Sequence, residues 1–338
     1  MHFHHSAQNS APKSSAPNSA PTNSARSFFT LIAALIFTSA CTTTNLETGT
    51  TNHIEPTMDT LVSAEWLSEH LDDPDLVVLD CTVLVEPNDN GGASSVNGRA
   101  SYDAGHIPSA GFADLLVDLS DRDNPLEFTM PSPEQFAAAM SALGVGDDSR
   151  VVLYASNYPV WPARVWWMLR WAGFDRVALL DGGLKAWTDA GQQLSTEPAD
   201  RPAKQFTLKL RPELIADRDE VFASIDDGDV SLIDAMPDAH YRGDFAMYER
   251  PGHIPGATNM PSFDLLDEAG QFRSFDELDM MQEGDRNGRV ITYCGGGVAA
   301  SAVAFSMNRL GFDDVAVYMG SLQEWTADPA NPMSLDSP

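Results

Sequence analysis

The stretch RVITYCGGGVAAS, residues 289–301, decides how the rest of the chain is interpreted. An apolar run typical of a buried strand ends in Cys294, three glycines follow, and small residues lead into an apolar helix-forming segment. Two interpretations compete for this arrangement. One is a tight strand-to-helix turn that carries a buried cysteine, and the other is a nucleophilic thiolate held in a cradle of backbone N–H groups.

The glycines favour the second interpretation. Gly295, Gly296 and Gly297 can adopt positive φ and bring their amides close to a ligand, because no Cβ stands in the way. Successive amides in such a turn bind anions, and the N-terminus of the following helix adds partial positive charge. Together with Val298 and Ala299, the glycines are predicted to form an anion-binding loop that stabilises a thiolate or persulfide on the preceding cysteine.

An internal duplication organises the chain. Three pairs of segments match in the same order along the sequence: 75–82 with 229–236, 102–115 with 250–266, and 149–191 with 288–329. The last pair aligns VVLYASNYP with VITYCGGGV, so Ala155 stands opposite Cys294. The first copy therefore keeps the strand and the helix but lacks the thiol and the glycines, which predicts one active domain and one catalytically degenerate partner.

Each copy has the pattern of an α/β domain. Short Val, Ile and Leu runs such as LVVLD, RVVLY, VSLID and RVITY alternate with helical stretches. Such alternation predicts two tandem doubly wound domains, each with a parallel sheet covered on both faces. The predicted boundaries are 57–195 for the first domain, 196–212 for a linker and 213–333 for the second domain. Ligands of such sheets bind beyond the carboxyl ends of the strands, which is where Cys294 lies.

The N-terminal region has the pattern of a targeting segment. Arg26 precedes the apolar run SFFTLIAALIFTSA, which is too short to span a bilayer comfortably, and residues 1–40 are predicted to be a signal peptide. Cys41 follows TSA as in a bacterial lipobox, which predicts lipidation of Cys41, a flexible tether over 41–56, and anchoring on the periplasmic side of the cell envelope. Simple secretion and an uncleaved anchor remain alternatives.

Composition limits the partners. The formal net charge of −29 disfavours nucleic acid and anionic membrane surfaces, so membrane contact is expected only through the lipid anchor. The same charge means that a pocket for an anion must be locally positive. The sequence has no CxxC and no Cys/His cluster with metal spacing, and we predict no metal and no cofactor. A disulfide between Cys81 and Cys294 is an alternative in an oxidising compartment.

Several linked motifs resemble one known family. They are Y-x-x-x-HIP at 102–108, GHIPGA at 252–257, the glycine loop after Cys294, and GSLQEW at 320–325. Over about 57–333 the chain resembles the tandem-domain rhodaneses, the thiosulfate and 3-mercaptopyruvate sulfurtransferases. The resemblance implies that Cys294 takes a sulfane sulfur from a small anionic donor and passes it, as a persulfide, to cyanide or another thiol without a cofactor. A persulfide carrier or sulfide-binding module without turnover, serving a protein partner, is the alternative.

The resemblance also suggests which residues bind the donor. CGGGVA is similar to the mercaptopyruvate-type loop C-G-S-G-V-T but departs from it at Gly296 and Ala299, and Met236 stands where the family tends to carry an arginine. It implies that Arg242, in YRG, binds the donor and that His106 contacts it from the domain interface. The structural alternatives are an ion-paired surface arginine and a histidine that holds a turn.

Overall fold

The structure, a computed structural model, describes residues 58–88, 93–282 and 286–335. These residues form two α/β domains in tandem, each built on a five-stranded sheet in which all neighbouring strands are parallel. The five strands of each sheet are connected in the same way. Counted along the chain, the first strand of the sheet lies at one edge and the third strand of the sheet lies at the opposite edge. The predicted fold class of two tandem doubly wound domains is therefore confirmed.

The first domain contains seven strands: β1 (Leu61–Val62), β2 (Leu76–Asp80), β3 (Val83–Pro87), β4 (Ala93–Asn97), β5 (Gly111–Phe112), β6 (Arg150–Tyr154) and β7 (Val177–Leu180). Its parallel sheet has the order β1-β7-β6-β2-β5, and β2 and β6 at its centre are almost wholly buried. The remaining two strands, β3 and β4, pair antiparallel as a separate hairpin that the sequence analysis did not predict.

The second domain contains β8 (Ile215–Ala216), β9 (Val230–Asp234), β10 (Thr258–Asn259), β11 (Arg289–Tyr293) and β12 (Val315–Tyr318). Their order is β10-β9-β11-β12-β8, which repeats the first sheet strand for strand. The central strand β11 pairs with β9 on one side and with β12 on the other, and its residues after Arg289 are buried. Buried Val and Ile runs of this kind are expected where helices cover both faces of a parallel sheet.

The described residues contain ten α-helices, which surround the sheets: α1 (Ala64–His70), α2 (Arg99–Ala104), α3 (Pro133–Ala142), α4 (Val160–Trp171), α5 (Gly183–Asp189), α6 (Arg218–Ser224), α7 (Asp238–Tyr241), α8 (Phe275–Met280), α9 (Val298–Arg309) and α10 (Ser321–Trp325). Short 3-10 turns lie at Pro212–Leu214 and Ser262–Leu265. Side chains such as Ser132 and Asp217 accept backbone N–H bonds at helix starts, which fixes where these helices begin.

The two domains meet through the helices that follow their equivalent central strands. Helix α4 of the first domain lies against α9 of the second. The rings of Trp166 and Phe305 meet edge to face at 4.9 Å, and Arg170 donates from Nη1 to Asn308 Oδ1 over 2.7 Å. Apolar residues of both domains join in one buried core, so the first domain forms a wall of the second.

The predicted linker 196–212 lies along the first domain. The Lys204 N–H donates to the Ser141 carbonyl over 3.2 Å, and the Lys209 N–H donates to the Ala172 carbonyl over 2.9 Å. Phe206 is buried against Phe136 and Phe174. These contacts fasten the connection to the first domain before the chain enters β8.

A buried aspartate ends the second strand of each domain. Asp80 accepts the N–H of Thr82 and Asp234 accepts the N–H of Met236, each over 2.8 Å. Both carboxyls hold turns. Burial raises the pKa of Asp80 and raises the pKa of Asp234 to about 7, and the second oxygen of Asp234 has no hydrogen-bond partner in the described chain.

Cys81 and Cys294 are both unpaired and buried, so the alternative of a disulfide between them is wrong. Cys41, the predicted signal peptide 1–40 and the predicted tether 41–56 lie outside the described residues. Within the part of the chain that the structure describes, no helix combines the length and the apolar character needed to cross a membrane.

Candidate active site

Cys294 is the first residue after β11, and α9 begins at Val298, so Cys294 and the three glycines form the whole connection. Gly297 adopts φ +76°, in the left-handed region that favours glycine. A Cβ there would lie 3.0 Å from the backbone of Met319, and one at Gly295 would overlap the Tyr248 hydroxyl. The loop therefore needs glycine for conformation at one position and for close approach at another.

Helix α10 holds the loop from behind. The Leu322 N–H donates to the Cys294 carbonyl and the Gln323 N–H donates to the Gly295 carbonyl, each over 3.0 Å. The Cys294 N–H donates to Ser321 Oγ over 3.1 Å. These bonds use the carbonyls of Cys294 and Gly295. The amides of the three glycines have no acceptor in the described chain and can therefore bind an anion. This explains why the motif GSLQEW accompanies the glycine loop.

The first domain repeats this construction without the thiol. Ala155 follows β6, and the Leu184 N–H of α5 donates to its carbonyl over 3.0 Å, as Leu322 does to Cys294. In place of glycines, the Ser156 N–H donates to Thr82 Oγ1 and the Asn157 side chain donates to the Val83 carbonyl. These bonds use polar groups of the loop within the first domain, so they are not available to a ligand. This agrees with a domain that forms a wall of the site and has no thiol of its own.

Cys294 is 2% exposed and lines a cavity of about 780 Å³ between the domains. Gly295 and Gly296, with Val298 and Ala299, line this cavity beside Cys294. The first domain contributes the hairpin β3–β4, Phe128 and Trp161, while the second contributes Met236 and the segment 245–248. The site therefore exists only where the two copies of the duplication meet.

Arg164 is the cation beneath the loop. It lies on α4 of the first domain, is 1% exposed, and donates to the Gly297 carbonyl over 3.3 Å and to the Phe128 carbonyl over 2.6 Å. Its guanidinium also contacts the sulfur of Met319. Among the described residues no carboxylate lies within ion-pair distance of it.

A buried charge without a counter-charge is expensive. Burial lowers the pKa of Arg164 to about 10, and the negative charge of Cys294 acts in the opposite direction. The guanidinium therefore stays protonated at neutral pH, and a thiolate or persulfide on Cys294 is the anion that its field favours. Arg164 and the free loop amides therefore both favour an anionic sulfur at Cys294.

Tyr248 covers the loop from the cavity side, with its hydroxyl against Gly295. Burial raises its pKa, and the charges of Cys294 and Glu127 raise it further, so the hydroxyl stays protonated and can donate a hydrogen bond. Trp161, on the opposite wall, carries a buried indole N–H that has no acceptor in the described chain. The Tyr248 hydroxyl can serve as a donor to an acceptor brought by a substrate.

Two predicted substrate-binding residues do not reach the cavity. Arg242 follows α7 on the surface, where it forms ion pairs with Asp238 and Asp244. His106 is buried with its ring stacked on Tyr102 at 3.9 Å, and its nitrogens lie 2.8 Å from the Tyr102 carbonyl and 2.9 Å from the Glu197 carbonyl. Neither residue lines the cavity in this structure, and these partners use polar groups that donor binding would need, so both assignments stay predictions.

Sequence reasoning missed Arg164. The available signal was a charged residue within the otherwise apolar start of WPARVWWML, where a buried arginine needs a specific partner. The contacts of Arg164 include Gly297 and Met319 of the other domain, and pairing between domains is not visible in a single sequence. The described residues bring together no group of three or more His, Cys, Asp or Glu side chains that could hold a metal ion.

A thiol set among free amides, with a buried cation behind it and a cavity before it, is the arrangement of an enzyme that holds a transferable group on cysteine. The chain belongs to the rhodanese family, since residues 63–190 and 217–328 each match the family described as rhodanese-like domain. It is a sulfurtransferase, in agreement with the persulfide chemistry that the motifs implied.

Comparisons with individual proteins agree with this assignment. The chain is 34% identical over 272 residues to 3-mercaptopyruvate sulfurtransferase of Escherichia coli, which covers 79% of this chain and 94% of that protein. It is 32% identical over 285 residues to the sulfur carrier protein TtuD of Thermus thermophilus, over 79% of this chain and 93% of that one. The crystal structure of SseA from Escherichia coli, with the rhodanese fold, matches at a TM-score of 0.70 and 32% identity over 78% of this chain and 99% of that chain.

Proposed function

We propose that Cys294 carries the sulfur during turnover. Its thiolate attacks the outer sulfur of the donor, the bond between that sulfur and the rest of the donor breaks, and the electron pair leaves with the remainder. A cyanide or thiol acceptor then attacks the outer sulfur of the persulfide, and the Cys294 thiolate is released. The observation that carries this proposal is the position of Cys294 among free loop amides and above Arg164, because both stabilise an anionic sulfur.

The donor is proposed to be a small molecule whose transferable sulfur is anionic. 3-Mercaptopyruvate enters from the name of the Escherichia coli relative, and thiosulfate from the family resemblance. The glycine amides would hold the negative sulfur end of either donor, and the protonated Tyr248 hydroxyl would donate to it. The acceptor is proposed to be cyanide or a small thiol that enters through the same cavity.

The test is a donor panel with wild type and Cys294→Ser. We expect thiocyanate from cyanide with at least one sulfane-sulfur donor, and no product above background with Cys294→Ser, whose fold should be retained because serine differs by one atom. Cys81→Ser is the matched control, since Cys81 is buried outside the cavity. Equal activity of the wild type and Cys294→Ser would disprove the role of the thiol.

A persulfide carrier is the second candidate, and the relative named as a sulfur carrier protein favours it. A carrier forms one persulfide and stops until its protein partner is present, whereas an enzyme turns over with small acceptors. Product formed per protein molecule, followed over time with excess donor and acceptor, separates the two. Many turnovers support the enzyme, and a single stoichiometric burst supports the carrier.

Location at the cell envelope is also a proposal. The run before Cys41 and the TSA sequence support lipidation of Cys41 and anchoring on the periplasmic side. Incorporation of a labelled fatty acid into wild type but not into Cys41→Ala, together with release of the variant from membranes, is the expected result. Unlabelled wild-type protein that keeps residues 1–40 would contradict it.

A further inference from the structure

The cavity in front of Cys294 has an apolar lining. Carbon-rich side chains from both domains face it: Val85, Phe128, Trp161, Met236, Phe245 and Met247. Three of them stay exposed although they are large and apolar, with Val85 at 60%, Phe245 at 53% and Met247 at 59%. Exposed apolar groups clustered at the mouth of a cavity indicate a surface that a ligand covers.

The charges of the cavity are unfavourable to a donor with a second anionic group. Glu127 is the one acidic or basic side chain, of the Asp, Glu, Lys and Arg types, among the described residues that line it. Arg242 is engaged with Asp238 and Asp244 elsewhere. Arg164 acts on the loop from behind and has no exposed surface to offer a carboxylate.

The size of the cavity points the same way. A volume of about 780 Å³ lies within the roughly 300–1,000 Å³ of pockets that enclose drug-sized ligands. Thiosulfate and 3-mercaptopyruvate have only a few heavy atoms and would leave most of the apolar wall in contact with water. A donor with a larger apolar group would cover this wall and gain the free energy of burying it.

We propose that the cavity selects a sulfane-sulfur donor whose reactive sulfur is anionic but whose body is apolar, such as an aryl or alkyl thiosulfonate or persulfide. This inference rests on the proposed role of Cys294 and names the substrate class of that site. The loop amides bind the anionic sulfur, and the side chains of Phe245, Met247 and Val85 cover the body. A donor with a carboxylate in place of the apolar group would place it beside Glu127 without a cation to receive it.

The chemical step balances for this class of donor. In a thiosulfonate, the Cys294 thiolate attacks the terminal sulfur and forms a sulfur–sulfur bond. The bond between the terminal sulfur and the sulfonyl sulfur breaks, and the sulfinate leaves with the electron pair. No external oxidant or reductant takes part, and the persulfide keeps the charge that the loop stabilises.

The test uses two donors with the same reacting group and charge, benzenethiosulfonate and methanethiosulfonate, with cyanide as acceptor. We expect kcat/KM to be at least about tenfold higher for the benzene compound, as burial of an aromatic group would give, and higher than for 3-mercaptopyruvate. Equal values for the pair, or preference for the methyl compound, would overturn the inference. A Cys294→Ser control tests the proposed function separately. If the benzene compound is not preferred but activity still requires Cys294, the inference about the cavity fails and the proposed function stands.

The wall is tested by Met247→Ser with Met280→Ser as the control. Both methionines are largely exposed, but Met280 lies on α8 away from the cavity. We expect Met247→Ser to lower kcat/KM for benzenethiosulfonate by several-fold more than for methanethiosulfonate, while Met280→Ser leaves both values unchanged. An unchanged ratio in Met247→Ser would contradict the role of the wall, and because the residue is exposed, the variant is expected to fold.

Discussion

Arg164 of the first domain donates a hydrogen bond to the carbonyl of Gly297 in the second domain, over 3.3 Å. The domain that has lost its own thiol thereby places a buried cation behind the thiol of its partner. The two residues are joined because α4 and α9, which follow equivalent strands of the two copies, lie against each other. Retention of the first domain thus has a chemical reason as well as a structural one.

Replacement of Arg164 by methionine tests this relationship. We expect Arg164→Met to slow alkylation of Cys294 at neutral pH by at least severalfold, because the substitution removes the buried positive charge that favours an anionic sulfur. The free energy of unfolding should change little, since methionine removes an uncompensated buried charge but leaves the Gly297 and Phe128 carbonyls without their donor. Iodoacetamide kinetics and chemical denaturation measure the two effects.

Arg170→Met is the matched control. Arg170 lies on the same helix and also bonds to α9, but it pairs with Asp175 and makes no hydrogen bond to the glycine loop. We expect unchanged alkylation of Cys294 in this variant and partial retention of the wild-type rate in Arg164→Lys, which keeps the charge. If Arg170→Met slows alkylation as much as Arg164→Met does, the effect comes from the domain interface.

The glycines of the loop should differ in their tolerance of alanine. Gly297→Ala should lower both stability and activity, because φ +76° costs a residue with a Cβ about 1–2 kcal/mol and the Met319 backbone blocks the added atom. Gly296→Ala should be milder, since its Cβ would meet the end of the flexible Gln323 side chain at 3.1 Å. Denaturation curves and kcat/KM compare the two, and equal losses would disagree with this geometry.

Asp234 should make stability depend on pH. Its carboxyl has a pKa of about 7 in the folded chain, raised by burial, against an ordinary value of ~3.9 in the unfolded chain. The folded state therefore holds an extra proton between these values, and the contribution of Asp234 to stability falls as pH rises through that window. We expect the free energy of unfolding of Asp234→Asn, relative to wild type, to increase from pH 4 to pH 7. A difference that is constant with pH would contradict the raised pKa.

Arg242→Ala should leave kcat/KM unchanged for every donor, because the structure holds this side chain in exposed ion pairs outside the cavity. Steady-state kinetics with 3-mercaptopyruvate and thiosulfate measure it. A loss confined to the carboxylate donor would instead return Arg242 to the site that the sequence motif implied.

The fold could be predicted from the sequence because the duplication repeats a clear local pattern. Buried strands such as RVVLY and RVITY, each followed by a helix that ends near a glycine, indicate a parallel sheet twice over. The hairpin β3–β4 was not predicted, since VLVEP ends at a proline and ASSVN is polar, so neither has the alternation of a typical strand. That hairpin nevertheless forms part of the cavity wall.

The site could be predicted only where its chemistry is local. Cys294 and its glycines adjoin one another in the sequence, and their position after a central strand places them at the sheet edge. Arg164 and Arg242 show the limit. Arg164 acts across a domain interface, which a single sequence does not reveal. Arg242 lies in a motif that resembles the family's, but its ion pairs hold it at the surface.

The most direct test of the account is where sulfur resides after donor treatment. Wild-type protein is treated with excess donor, alkylated, digested and analysed by mass spectrometry. We predict one added sulfur atom on the peptide that contains Cys294 and none on the peptide that contains Cys81, because burial and the nearby Asp80 charge raise the pKa of Cys81 well above its usual value and keep that thiol protonated. Sulfur on Cys81, or no sulfur on Cys294 with any donor that supports turnover, would contradict the account.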